Sequence, residues 1–96
     1  MSRLRLGAIA RADLANIRQY SMSEFGSDVA DAYFRGFNKA FELLRSHPLA
    51  GQARPEVAPD ARSYKYRQHR ILYRIEGNRV VVVRVLHHAR QVEWPE

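Results

Sequence analysis

The spacing of hydrophobic residues in the first half of the chain predicts one short strand and two helices. Residues 3–6 alternate arginine with leucine, which is typical of a strand with one buried face. Apolar residues then recur every three or four positions over residues 8–25 and again from 27 to about 45, which predicts two amphipathic helices. Gly26 is expected to end the first helix, Ser27 to cap the second and Pro48 to end it. Asp13 lies near the N-terminal end of the first predicted helix, where its negative charge is expected to interact favourably with the helix dipole.

The second half of the chain predicts strands. Residues 48–59 hold three prolines and a glycine, which indicates an irregular loop. Strand patterns follow at 64–67, 70–75 and 80–86, with Gly77 and Asn78 as a turn signal before the last. Because the run 80–86 is apolar on both faces except at Arg84, it is expected in the middle of the sheet. The order β-α-α-β-β-β predicts an α+β fold, a helical hairpin packed on a mostly antiparallel sheet, as a single domain over residues 1–96.

The length of the turn decides which arginines share a face. A strict two-residue loop places Arg74 on the same side as Val81. An odd-length or bulged loop instead places Arg70, Arg74 and Arg84 on one face. The sequence leaves both registers open.

Three aromatic residues are predicted in the core, and the positions of two others stay open. Tyr33, Phe37 and Phe41 follow helical spacing and are interpreted as core. Phe34 lies off this stripe, where it either widens the buried face or contacts a partner. Trp94, close to the C-terminal end, is either folded back onto the body of the protein or offered to a partner.

The amino-acid composition excludes several kinds of site and a membrane-spanning helix. The chain has no cysteine, which excludes disulfides, cysteine-ligated metals and a cysteine nucleophile. It also has no apolar run of the roughly 18–20 residues that a membrane helix needs. We expect a cytoplasmic protein without membrane contact.

Positive charge is concentrated in the second half of the chain. The formal net charge is +6, and residues 62–90 hold eight Lys or Arg against the single acid Glu76. This distribution indicates contact with an anionic partner, either nucleic acid or an acidic protein.

Candidate chemistry is sparse. His87 and His88 are adjacent, so on a strand they would point to opposite faces, and we expect no metal site. A nucleophile elbow and a glycine-rich phosphate loop are both missing from the sequence. Acid–base cleavage of RNA stays open, with Arg70, Arg74 and Arg90 holding phosphate and His87 or His88 moving protons. A plain nucleic-acid-binding module is a further alternative.

Four segments carry a family resemblance, in the same order as in the family. They are Ala12-Asp13-Leu14 with Ile17, Tyr20, Gly26, Ala30 and Tyr33; Pro48 with Gly51; His69-Arg70-Ile71-Leu72-Tyr73-Arg74-Ile75; and Arg84-Val85-Leu86-His87. Together they resemble the ParE toxins of the ParE/RelE superfamily of type II toxin–antitoxin systems. The resemblance covers nearly the whole chain, from about Leu4 to Arg90.

The resemblance implies a toxin that inhibits DNA gyrase, and thereby replication, without being an enzyme and without a cofactor. It implies a ParD-like antitoxin that forms a hetero-oligomer with it. The expected gyrase contacts are Arg70, Arg74, His87, His88 and Arg90. The antitoxin is expected in an apolar groove between the helical hairpin and the sheet, at Phe34 and Phe37.

The alternative implied by the superfamily is a RelE-like, ribosome-dependent mRNA endoribonuclease. Arg70 and Arg90 lie where two arginines of those enzymes would be. The lysines expected before that strand fall on Ala61 and Ser63, which cannot replace them. The incomplete set favours the gyrase hypothesis.

Overall fold

The computed structural model describes residues 2–95 as two helices packed on one face of a five-stranded sheet. The sheet has the order β1-β5-β4-β3-β2, in which β1 and β5 are parallel and the other neighbours antiparallel. This confirms the predicted α+β fold. The elements are β1 (Arg3–Leu6), α1 (Ala8–Phe25), α2 (Ser27–Ser46), β2 (Gln52–Ala53), β3 (Arg62–Tyr66), β4 (His69–Glu76) and β5 (Arg79–His87).

The strands differ from the sequence prediction by one or two residues at their ends, and two differences are larger in consequence. The loop predicted at 48–59 contains the short edge strand β2, which pairs only with Arg62 and Ser63 of β3. Its two residues are too few to show an alternating pattern. Arg67, predicted in a strand, lies in the turn after β3 with φ of 51°, because the chain must reverse there to pair with β4.

Gly26 forms the junction of the two helices. Its φ of 89° lies in the region that favours glycine, and its N–H donates to the carbonyl of Met22 at the end of α1. Its own carbonyl accepts the N–H of Ala30, which starts the hydrogen bonding of α2. Ser27 is therefore the first residue of α2 and not its cap, so that prediction is wrong. Neither α1 nor α2, the helices described, is long and apolar enough to cross a membrane.

The sheet has apolar residues on both faces. The larger core lies under the helices and includes Phe37, Leu44 and Tyr73. A smaller cluster on the other face is formed by Leu72, Val81, Val83 and Leu86, and Val92 and Trp94 pack against it. Trp94 is thus folded back onto the body, and β5 is buried on both faces between β1 and β4, as predicted.

The register at the last hairpin combines the two alternatives left open by the sequence. Glu76 pairs with Arg79 across a two-residue turn, and Arg74 pairs with Val81. Further along, the pairing shifts by one residue, because Val83 is an extra residue in β5 between the partners of Leu72 and Tyr73.

The shift of register changes the position of Arg84. Its guanidinium group binds the carboxylate of Asp13 in α1 through two hydrogen bonds of 2.9 Å. Asp13 lies in the second turn of α1 and serves this ion pair, so the predicted role at the helix dipole is wrong. The shift also pairs Arg84 with Leu72, so Arg70, Arg74 and Arg84 all leave their strands on the face of the sheet that carries no helix, as the bulged alternative predicted.

Candidate functional site

A groove of about 550 Å³ lies between the helical hairpin and the open end of the β4–β5 hairpin. Three exposed apolar side chains line it near the junction of the helices, with 57% of Tyr20, 63% of Phe25 and 50% of Val29 accessible. A cluster of exposed apolar residues is typical of a binding surface. We call this the helix–sheet groove; it is lined by Asn16, Ile17, Tyr20, Ser21, Phe25, Val29, Tyr33, Gln68, His69 and His87.

Three histidines lie together at one end of the helix–sheet groove. His69 opens β4 and pairs across the sheet with His87, and their ring centroids are 5.6 Å apart. The rings of His87 and His88 are 4.5 Å apart. His88 lies beyond the end of β5, so strand alternation does not separate the two, contrary to the expectation from sequence. Within residues 2–95, no group of three or more His, Asp or Glu side chains is arranged to hold a metal ion.

His69 is a neutral, hydrogen-bonded base at this end of the groove. Burial, together with the smaller effects of the neighbouring His87 and His88, lowers its pKa from 6.5 to about 4. Its Nδ1 lies 2.7 Å from the hydroxyl oxygen of Tyr33, whose pKa is raised by burial. This hydrogen bond ties the start of β4 to α2.

Sequence reasoning missed His69 as a member of this cluster. If the strands paired without a bulge from the two-residue turn onward, His69 would lie opposite Leu86 and not opposite His87. The extra residue Val83 shifts the pairing by one, so that His69 meets His87. The histidine cluster therefore depends on a bulge for which the sequence gives no local signal.

The predicted target-binding residues do not form one cluster. His87 lines the groove and His88 lies next to His87, both exposed, whereas Arg70 points to the opposite face of the sheet, next to Lys65 of β3. Arg74 lies at the far end of that face and binds Glu76 at 2.6 Å.

Arg90 follows β5 in an exposed turn and binds Glu93 at 3.2 Å. It lies at the histidine end of the sheet, since its N–H donates to the carbonyl of His87. The structure therefore joins His87, His88 and Arg90, and separates Arg70 and Arg74 from them.

The two phenylalanines predicted at the antitoxin site have different environments. Phe37 is 0% exposed and packs against Tyr66 with 4.7 Å between ring centroids. A partner has no access to its side chain, so the expected surface contact at Phe37 is corrected to a core position. Phe34 is half-buried under the guanidinium group of Arg18, 5.1 Å from the ring centroid. The helix–sheet groove exists as predicted, but neither phenylalanine lines it.

The sequence of this chain matches a protein family over residues 4–92, described as the ParE toxin of the type II toxin-antitoxin system parDE. Toxin ParE1 of Mycobacterium tuberculosis is 32% identical over 93 residues, which cover 96% of this chain and 95% of that toxin. Toxin ParE1 of Caulobacter vibrioides is 34% identical over 87 residues, which cover 91% of this chain and 90% of that toxin.

Two solved structures have a similar fold. A chain of the chromosomal ParDE toxin–antitoxin system from P. aeruginosa superposes with a TM-score of 0.78 at 20% identity, covering 91% of this chain and 96% of that one. A chain of the toxin–antitoxin complex RelBE2 from Mycobacterium tuberculosis superposes with a TM-score of 0.58 at 26% identity, covering 91% of this chain and 98% of that one.

Proposed function

This chain belongs to the ParE toxin family of type II toxin–antitoxin systems, and from this premise we propose that it inhibits DNA gyrase by binding it. Inhibition of gyrase would in turn block DNA replication. In this proposal the protein is not an enzyme, needs no cofactor and acts in the cytoplasm until a ParD-like antitoxin neutralises it. The family match over residues 4–92 is the observation that carries the proposal.

The arrangement of charged groups supports binding rather than RNA cleavage. Cleavage needs phosphate-holding cations and a proton-transferring group around the same bond. Here the sheet separates Arg70 from His87, and Arg90 is paired with Glu93. With a pKa of about 4, His69 is neutral at pH 7, so it lacks the imidazolium form that would serve as a general acid.

The helix–sheet groove is the proposed antitoxin site. Exposed apolar side chains favour an amphipathic segment that buries its own apolar face against Tyr20, Phe25 and Val29. The net charge of +6 favours acidic residues on the other side of that segment. Phe34, half-buried on α2, is kept as a flanking contact in the resulting hetero-oligomer.

A RelE-like mRNA endoribonuclease is the second candidate. Two observations favour it: the likeness of the fold to a chain of the RelBE2 complex, and the exposed His87, His88 and Arg90 at one end of the sheet. His88 would then move the proton while Arg90 leaves Glu93 to hold phosphate.

Paired assays on one protein preparation distinguish these functions. The first measures supercoiling of relaxed plasmid by gyrase, and the second measures mRNA cleavage in a translating extract. We expect inhibited supercoiling with intact mRNA, reversed by the cognate antitoxin. Cleaved mRNA with unimpaired supercoiling would replace the gyrase proposal with the ribonuclease.

Single substitutions then test the target-binding residues. Arg70→Gln and His88→Gln should each weaken inhibition of supercoiling if both side chains contact gyrase, as the family resemblance implies, although they lie in different regions of the surface. Arg35→Gln is the matched control, since Arg35 is exposed on α2 away from these residues. Equal inhibition by all three variants would remove Arg70 and His88 from the proposed contact.

A charge placed in the groove tests the antitoxin site separately. Val29→Glu should leave inhibition of gyrase intact but abolish its reversal by the antitoxin, since a carboxylate would be buried there without a partner. Leu49→Glu is the control, because Leu49 is 71% exposed and does not line the groove. Normal reversal with Val29→Glu would place the antitoxin elsewhere.

A further inference from the structure

Four arginines meet at one end of the sheet, beside the β4–β5 turn. Strand pairing places Arg3 beside Arg79, and Arg5 beside Val81, which in turn lies opposite Arg74. Because side chains alternate between the two faces of a sheet, all four side chains leave their strands on the face that carries no helix. We call this group the arginine corner.

The arginine corner has an unbalanced positive charge. Glu76 is the one carboxylate bound there among the described residues, and Arg74 and Arg79 share it at 2.6 and 3.0 Å. Arg3 and Arg5 are exposed and form no salt bridge within residues 2–95. Four cations against one anion leave a net charge of +3 on this surface.

The position of Arg3 makes this excess costly for the fold. Arg3 and Arg79 lie directly side by side on neighbouring strands, where like charges are destabilising. Arg3 also borders a shallow pocket with Glu42, but that carboxylate binds Arg45 at 2.7 Å. A repulsion that the protein itself does not neutralise indicates a surface suited to an external anion.

We propose that the arginine corner binds the phosphate backbone of duplex DNA. A guanidinium group binds phosphate through two parallel hydrogen bonds. Each DNA strand carries a phosphate about every 3.4 Å along the helix axis. Neighbouring strands of the sheet are about 4.8 Å apart and alternate residues about 6.7 Å apart, so the long arginine side chains can reach successive phosphates.

The choice of DNA among anionic partners rests on the proposed function, because gyrase holds duplex DNA. The same face continues the positive charge at its other end, where Arg70 and Lys65 lie side by side beyond the apolar cluster covered by Trp94. The helix–sheet groove is on the opposite side of the sheet, so DNA and an antitoxin in the groove would contact different surfaces.

The salt dependence of DNA binding tests the proposal without gyrase. Fluorescence anisotropy of a short labelled duplex is followed from about 50 to 200 mM salt, where neutralising three phosphates predicts an affinity loss of about 40-fold. The double variant Arg3→Gln/Arg5→Gln should lose only about 3-fold over that range, because about one phosphate contact remains. The control Arg11→Gln/Arg35→Gln changes net charge equally on exposed positions of the helices and should behave like the unmodified protein.

Each outcome decides the proposal. The proposal is supported if the salt dependence of DNA binding is lost in Arg3→Gln/Arg5→Gln and kept in the helix control. Equal loss in the helix control, no measurable DNA binding, or displacement of DNA by an equal charge of poly-glutamate would overturn it, the last in favour of an acidic protein. Supercoiling assays separate the two claims. DNA binding through the arginine corner without inhibition of gyrase would contradict the proposed function and leave the DNA-binding proposal intact. Inhibition of gyrase without DNA binding through the arginine corner would contradict the DNA-binding proposal and leave the proposed function intact.

Discussion

Asp13 and Arg84, 71 residues apart in the sequence, form a two-pronged ion pair between α1 and β5 with both distances at 2.9 Å. The same carboxylate accepts the backbone N–H of Val85 at 2.9 Å. Strand β1 pairs with β5 only as far as Val82. The N–H of Val85 lies beyond this pairing, and the carboxylate of Asp13 satisfies it as a hydrogen-bond acceptor. The pair fixes α1 against the part of β5 that leads to His87.

Removing this carboxylate should destabilise the protein more than removing a surface one. The side chains of Arg84 and Asp13 are only 13% and 11% exposed, so Asp13→Ala leaves a largely buried cation and a free N–H. We expect a loss of about 3 kcal/mol in the free energy of unfolding, measured by urea denaturation.

Asp31→Ala is the matched control for Asp13→Ala. Asp31 pairs with Arg18 on the surface, where the side chains are 49% and 42% exposed. Its loss should change the free energy of unfolding by less than about 1 kcal/mol. Similar effects of the two substitutions would contradict the role assigned to Asp13.

The titration of His69 should make the stability of the protein fall in mild acid. Its pKa is about 4 in the folded state against 6.5 in the unfolded chain, so on acidification the unfolded chain binds the proton first. This contribution to stability is complete above pH 6.5, falls between 6.5 and about 4, and is lost below that. His69→Gln keeps a polar group that can hydrogen-bond to Tyr33 but cannot titrate.

Urea midpoints measured across this pH range check the assignment. His69→Gln should have a flatter dependence than the unmodified protein between pH 6.5 and about 4. His47→Gln, at an exposed position after α2, should keep the original dependence. If both variants keep it, His69 is not the group responsible.

The sequence predicted the elements of this fold better than the contacts between them. Helical spacing and the glycine stop at Gly26 are local signals, and they placed both helices correctly. The pairing of Asp13 with Arg84 depends on the packing of α1 beside β5, about which periodicity carries no information.

The candidate site was predicted in part for the same reason. The groove follows from the α+β architecture, but its exposed lining was missed because Phe25 and Val29 fit the helical pattern of core residues. Phe37 was correctly read as core from that pattern and wrongly as a partner contact as well. The cross-strand pairing of His69 with His87 could not be predicted, because it depends on the bulge at Val83.

Trp94 should contribute to stability by covering the smaller apolar cluster. Trp94→Ala would expose Leu72, Val81 and their neighbours, and we expect a loss of about 2 kcal/mol in the free energy of unfolding. Leu49→Ala, at a 71% exposed side chain, should change it by less than about 0.5 kcal/mol. Equal urea midpoints for the Trp94 variant and the unmodified protein would show that the packing of the tail is not stabilising.

Gly36 permits the close approach of α2 to β3. A Cβ atom there would overlap the hydroxyl of Tyr66 and lie 2.5 Å from its ring Cζ. That hydroxyl donates to the carbonyl of Tyr33 at 2.7 Å, so the ring cannot move without losing a hydrogen bond. Gly36→Ala should cost about 2 kcal/mol in the free energy of unfolding.

A double-mutant cycle identifies the cause of the Gly36 effect. In a Tyr66→Ala background the overlap is gone, and Gly36→Ala should cost much less than in the unmodified protein. Asn38→Ala, at an exposed position of α2, is the control for helix propensity. The same cost in both backgrounds would assign the effect to the helix and not to Tyr66.

Inhibition of gyrase by the purified toxin is the most direct test of the central claim. Gyrase is titrated with the protein on relaxed plasmid, with the fold verified by circular dichroism, and both supercoiling and broken DNA are measured. The account predicts that supercoiling falls as toxin is added and recovers when the antitoxin follows. Full supercoiling at a large molar excess of folded toxin would contradict it.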